Sequence, residues 1–130
     1  MPNTYVLRRF HSKMNDLPHK QVLAAADGAI DISLKNFPDT VLITKGTAAA
    51  LTLAAPTAGV PAKGGHDGMR ITIYSTTAAA HTVTQTTPGF NNGSTASDVG
   101  TFGAAIGNWI TVEAYNGIWY VVGSLNVTLA

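Results

Sequence analysis

The chain has 130 residues, no cysteine, a charged fraction of 12% and an apolar fraction of 45%. That length suits one domain and is too short for a two-domain enzyme with a closing cleft, and the missing cysteines exclude disulfides, thiolate nucleophiles and Cys-ligated zinc or iron–sulfur sites. A net charge of +1 argues against a nucleic-acid platform or an electrostatic membrane binder, and there is no run of about 18 uninterrupted apolar residues for a membrane span.

Charge is unevenly placed. Residues 1–20 carry Arg8, Arg9, Lys13 and Lys20 against Asp16 alone, a local charge of +3, whereas residues 21–130 sum to −2. No apolar run of signal-peptide length follows the basic residues. Tyr5-Val-Leu-Arg-Arg-Phe10 has the composition of a short strand, but the residues up to Lys20 lack periodicity and include Pro18, so 1–20 reads as an irregular N-terminal arm. A solvated terminus is the plain interpretation; the sharper one is an extension that orders on another subunit or on a negatively charged partner. Four basic residues make too small a footprint for nucleic acid.

Residues 21–26 form one helical turn or a strand at most. Asp27-Gly28 then supplies a turn, and 29–34 alternates with period two, which predicts a strand with Ile30, Ile32 and Leu34 facing the core. Residues 40–44 read as a strand, and so do 47–53, because Ala49, Leu51 and Leu53 alternate in a segment too short for a free-standing helix. Residues 54–67 hold two prolines and three glycines and read as a long loop. Strands follow at 68–74, with Met69, Ile71 and Ile73 on one face, and at 81–85. The segment 86–100 is again turn-rich and surrounds one aromatic, Phe90, which plugs the loop against the body or a neighbouring subunit. A short strand is expected at Thr101-Phe102 and a last one at 126–129.

The most definite local prediction is a hairpin. Asn116-Gly117 separates two apolar, β-branched runs at 109–115 and 118–122, the pair preferred in a two-residue type I′ turn. That turn sets Tyr115 opposite Ile118, Ala114 opposite Trp119, Glu113 opposite Tyr120 and Val112 opposite Val121. Ile110, Val112, Ala114, Trp119 and Val121 then share a core face. The other face carries Trp109, Thr111, Glu113, Tyr115, Ile118, Tyr120 and Val122, too apolar for water alone, and is expected to cover a second sheet or a subunit partner. Together these elements predict an all-β fold, an antiparallel β-sandwich or a small, partly closed β-barrel of about seven to nine short strands, as a single domain over 21–130 behind the extended arm. The abundance of Thr, Ala and Gly with so little charge points to a homo-oligomer.

No catalytic constellation emerges. His66-Asp67 with His81 is too thin for a metal site or a general base; a turn histidine beside Asp67 and a locally bonded strand histidine are the simpler interpretation. Asp31 falls on an outward face, and Glu113 reads as paired or rim-exposed. The glycine-rich stretch 59–68 fits neither phosphate-binding fingerprint. The sequence therefore reads as a non-enzyme that calls for no metal, no cofactor and no small-molecule ligand.

Asp67-Gly-Met-Arg-Ile-Thr-Ile-Tyr-Ser-Thr, Ala80-His-Thr-Val-Thr, Phe90-Asn-Asn-Gly, Thr101-Phe and Glu113-Ala-Tyr-Asn-Gly-Ile-Trp-Tyr-Val-Val122 follow one another in a succession that resembles small β-rich structural proteins of tailed bacteriophages. These are capsid decoration (cement) proteins and some tail or fibre modules. The resemblance implies homotrimers on the outer surface of the virion head, at three-fold or quasi-three-fold positions, clamping neighbouring major capsid protein subunits. It brings no catalytic residues. It implies a capsid-contacting arm, for which Tyr5, Arg8, Arg9, Phe10 and Lys13 are the candidates by position and composition, while Phe90, Trp109, Tyr115 and Tyr120 are candidates for the subunit or partner interface. The alternative is a tail- or fibre-associated module that binds a receptor or carbohydrate through the loops 54–67 and 86–100 and the exposed aromatics.

Overall fold

The structure, a computed structural model, describes residues 20–130. The ten strands are β1 (Gln21–Ala24), β2 (Gly28–Ala29), β3 (Thr40–Ile43), β4 (Ala50–Thr52), β5 (Arg70–Ser75), β6 (Thr82–Thr84), β7 (Val99–Phe102), β8 (Trp109–Tyr115), β9 (Ile118–Leu125) and β10 (Val127–Leu129). They form two five-stranded sheets, sheet A in the order β1-β3-β5-β8-β9 and sheet B in the order β2-β4-β6-β7-β10. The two remain separate sheets, as in a sandwich, and do not close into the barrel that was the second expectation.

The expected antiparallel pairing holds for only half of the molecule. β1, β3 and β5 are parallel, as are β2, β4 and β6. The chain passes from sheet A to sheet B and back three times, so each layer of the N-terminal half is one strand of A over one strand of B. The step from Thr40 to Thr72 in sheet A equals that from Leu51 to Val83 in sheet B, 32 residues in both. The preceding step is shorter and unequal, 19 residues from Gln21 to Thr40 and 23 from Gly28 to Leu51, so three layers are stacked and only the second step matches between the sheets. Parallel neighbours need long crossovers, and here the crossover is the strand in the opposite sheet. The C-terminal half adds antiparallel strands, β8 and β9 to sheet A and β7 and β10 to sheet B.

The core lies between the sheets. Val41, Ile73 and Ile110 form one inward row across sheet A, Ile71, Val112 and Val121 another, and Leu51, Val83 and Phe102 face them from sheet B. Ala49, Leu51 and Leu53 are all buried, as their alternation predicted. The hairpin matches expectation in register, and its turn residues Asn116 and Gly117 have φ of 50° and 81°, the left-handed pair a type I′ turn requires. A bulge then shifts the register between Thr111 and Val112, so Thr111 pairs with Gly123. Trp119 is fully buried and donates its indole N–H to the Ala54 carbonyl at 2.8 Å.

One local expectation fails and one candidate contact residue is withdrawn, each for an identifiable reason. The strand expected over 29–34 stops early, because the Asp31 carboxylate accepts the Ser33 N–H at 2.9 Å and the Asn36 amide at 3.0 Å and folds 31–36 into a turn. Ile30 reaches the core, Ile32 is half-buried and Leu34 is exposed. Phe90 is the second case. It sits in a single 3-10 turn, Phe90–Asn92, and is buried in the protein's own core, so it plugs the loop against its own body and is not available as a partner contact.

Candidate interaction surface

Because β-strand side chains alternate, the rows that are not core must emerge on the outer faces of the sheets. On sheet A the paired positions Leu23, Leu42, Tyr74, Trp109 and Leu125 align across all five strands. Neighbouring strands are about 4.8 Å apart, so this apolar stripe runs for about 20 Å. Beside it lies an uncharged row, Gln21 followed by the small residues Thr40, Thr72, Thr111 and Gly123. The hydroxyls of Thr72 and Thr111 are bonded to each other at 2.8 Å. Next come Arg70, Glu113 and Tyr120, with the Arg70 Nε 2.8 Å from the Glu113 carboxylate. Tyr115 and Ile118 complete the face at the hairpin end.

The glycine at 123 shapes this surface. A Cβ there would lie 3.0 Å from Cη2 and 3.1 Å from Cζ3 of Trp109, so the indole lies across the neighbouring strand where it has no side chain. Thr72, Tyr74, Gly107, Trp109 and Thr111 line a shallow depression of about 520 Å³. Of the eight large hydrophobic side chains that stand exposed among the described residues, Leu23, Tyr115, Tyr120, Val122 and Leu125 belong to strands of sheet A and none to strands of sheet B. The outer rows of sheet B are small and uncharged instead: Ala50, Thr82, Thr101 and Thr128, then Ala29, Thr52, Thr84 and Val99. The stripe is exposed at Leu23 and Leu125 and half-buried at Leu42, Tyr74 and Trp109 between them; an apolar stripe with a polar border is the composition common to contact faces.

Trp109, Tyr115 and Tyr120, three of the predicted interface residues, therefore lie together on one surface. The arm candidates Tyr5, Arg8, Arg9, Phe10 and Lys13 lie outside the described residues. Leu23, Leu42, Tyr74 and Leu125 were missed as interface residues, since nothing in a single sequence reveals that five separate segments are aligned in one row.

His66 and His81 have structural work. Nδ1 of His66 accepts the Thr57 N–H at 2.8 Å and its Nε2 lies 2.7 Å from the Ile32 carbonyl, which fixes the Nε2–H tautomer. His81 is fully buried; its Nδ1 accepts the Ala49 N–H at 3.0 Å and its Nε2 donates to the Thr77 hydroxyl at 3.0 Å, which in turn donates to the Lys45 carbonyl. With both ring nitrogens engaged, neither imidazole is open to a metal or a substrate proton. Asp67, the third member of that constellation, accepts the Asn116 N–H at 2.8 Å and fastens the long loop to the hairpin turn. Among the described residues no three His, Asp or Glu side chains converge on a metal-sized site.

Two aspartates are held below the ordinary aspartate pKa. Asp27 titrates below the ordinary aspartate value because Lys45 and the Ala50 N–H bond its carboxylate, and Asp31 does so because Ser33 and Asn36 bond its own. Both are at the surface, and both fix turns at the β1–β2 end of the molecule. Compared with known proteins, the chain matches no family model and no curated sequence.

Proposed function

We propose that the protein is a non-catalytic virion component, a homotrimeric capsid decoration protein that binds the major capsid protein on the outer surface of a phage head and stabilises the shell. The observation that carries this reading is the apolar stripe on the outer face of sheet A, which needs a protein surface to cover it. A cement protein works through broad, rigid contacts repeated around the shell, so its affinity comes from interface area and avidity and not from a pocket. The stiff two-sheet body and the sparse charge of residues 21–130 suit that task. The number three and the head location rest on the resemblance to decoration proteins. The test is the solution mass of the full chain, followed by its binding to shells assembled from the major capsid protein of the phage that carries it. A trimer that binds these shells and raises their resistance to heat supports the reading; a monomer indifferent to them overturns it.

One observation favours a second reading. Trp109, Tyr115 and Tyr120 lie on the same face as the threonine row, and aromatic rings beside hydroxyls suit stacking of sugar rings. A tail- or fibre-associated carbohydrate-binding module would remain monomeric through this face and would lose glycan binding when Trp109 is replaced.

A further inference from the structure

The sequence holds two Asn-Gly pairs, Asn92-Gly93 and Asn116-Gly117, and the fold treats them differently. Asparagine is thermolabile because the main-chain nitrogen of the next residue can attack its side-chain amide carbon, and glycine, with no side chain, leaves that nitrogen the most open to approach. The two pairs match in other respects. Both asparagines are exposed, and both have a left-handed φ, 58° at Asn92 and 50° at Asn116. In each the backbone must rotate before nitrogen and Cγ meet, so the difference lies in what resists that rotation.

At Asn92 the attacking nitrogen is tied down. The Gly93 N–H donates to the Phe90 carbonyl at 2.9 Å, the Ser94 N–H to the Pro88 carbonyl at 2.8 Å and the Ser97 N–H to the Ser94 carbonyl at 3.0 Å. Phe90 is buried in the core and the Asn91 side chain accepts the Val121 N–H at 2.8 Å, so the turn is also pinned to the body. Room is short as well: a Cβ on Gly93 would lie 2.6 Å from Oγ of Ser97 and 3.1 Å from the Phe90 carbonyl oxygen.

At Asn116 nothing comparable holds the nitrogen. A two-residue type I′ turn closes through the residues that flank it, and the Gly117 N–H finds no acceptor among the described residues. A Cβ on Gly117 would meet only the Pro56 carbonyl oxygen, at 3.8 Å. The bond from the Asn116 N–H to the Asp67 carboxylate, 2.8 Å, acts on the other side of the Asn116 Cα and does not restrain the Gly117 nitrogen.

We propose that Asn116 is the site at which this protein deamidates. The Gly117 nitrogen loses its proton to solvent base and attacks Cγ of Asn116; the new C–N bond closes a cyclic succinimide, and the side-chain nitrogen takes up a proton and leaves as ammonia. Water then opens either carbonyl of the ring, giving aspartate or isoaspartate with no change of oxidation state. Both products undo the local structure. Isoaspartate adds a methylene to the main chain inside a turn whose length fixes the pairing of Tyr115 with Ile118. Aspartate sets a second carboxylate beside that of Asp67, which fastens the turn to the long loop. Deamidation thus loosens the hairpin end of the outer face of sheet A. The inference concerns the free protein and does not depend on the capsid reading.

The test is incubation of the full chain in mildly alkaline buffer, followed by proteolysis and tandem mass spectrometry that resolves position 92 from 116 and aspartate from isoaspartate. In the folded protein Asn116 should convert faster than Asn92 by a factor of about ten or more, since Asn92 reacts only when its bonded turn opens. In urea the two should convert at similar rates, because each is then an Asn-Gly pair in an unfolded chain. Equal rates in the folded protein, or faster loss of Asn92, overturn the proposal. So does an Asn116 that stays intact in the folded protein over the time in which the unfolded chain converts. A preference for Asn116 of the same size in urea overturns it too, since the difference would then come from the neighbouring sequence and not from the fold.

Discussion

The two tryptophans lie ten positions apart on one hairpin and are expected to respond in opposite ways to the same substitution. Trp119 is fully enclosed between the sheets, and replacing it with alanine should cost about 3 to 5 kcal/mol, the range for emptying a large aromatic site. The lost bond to the Ala54 carbonyl adds little, because Ala54 is exposed and water can replace the indole N–H. Against a total stability of about 5 to 15 kcal/mol for such a domain, the loss is a large share and should lower the melting temperature by roughly 15 to 30 °C. Trp109 is half-buried on the outer face, and Trp109→Ala should cost about 1 kcal/mol or less in the monomer while weakening self-association by about 2 kcal/mol or more, a factor of roughly 30 in Kd. Urea unfolding measures the first quantity and sedimentation velocity the second. Unfolding must be followed at several protein concentrations, since association that favours the folded state would add to its apparent stability. A Trp119→Ala variant within 1 kcal/mol of the parent would refute the face assignment. A Trp109→Ala variant that unfolds like an emptied core yet associates normally would refute the contact face.

Three further outcomes can be checked separately. Gly123→Val should push the Trp109 ring off the sheet, shifting its fluorescence and weakening association with only a small change in stability, since the ring can move outward; an unchanged emission spectrum would contradict the stacking. His81→Leu should destabilise by about 1 to 3 kcal/mol in urea unfolding, because it leaves the buried Ala49 N–H without an acceptor, and a neutral result would show that the bond contributes nothing. Asp27 and Asp31 have folded pKa values below their unfolded ones, so their contribution to stability is present above the unfolded value and is lost as pH falls through the folded one; carboxyl NMR titrations should place both midpoints below the ordinary aspartate value, and midpoints at or above it would reject the turn bonds.

The hairpin was legible from its turn as far as the bulge at Thr111 and Val112, because Asn116-Gly117 fixes register locally: a type I′ turn joins strands adjacent in sequence, and alternation carries the register until the bulge shifts it. The parallel half was not, for a physical reason. The links at 25–27, 44–49 and 76–81 are short and rich in small or turn residues, as hairpin loops are, yet each carries the chain across to the other sheet. The partners of β3 then lie 19 residues upstream and 32 downstream, and no local chemistry specifies which segment a strand will find at that distance. The same blindness hid most of the contact face. Trp109, Tyr115 and Tyr120 stood out because the hairpin predicted their common side, whereas Tyr74 joins them through the long-range antiparallel pairing of β5 with β8, and Leu42 and Leu23 through the parallel register beyond it.

The edge of sheet A at β9 is covered by a side chain, and this bears on assembly. At the C-terminal end, the Val121 N–H of edge strand β9 donates to the Asn91 side chain at 2.8 Å, and the loop bearing Asn91 is anchored by the buried Phe90. A side chain has taken the place of another strand there, so growth of sheet A through β9 is obstructed. The outer face of sheet A has no such cover among the described residues. A partner is therefore expected to pack across that face through side chains, with sheet lying on sheet, and not to extend the sheet through β9. Replacing Asn91 with alanine separates the two modes. Face-to-face packing should survive Asn91→Ala unchanged, whereas association that appears only in this variant would show that the β9 edge, once freed, is the stronger contact.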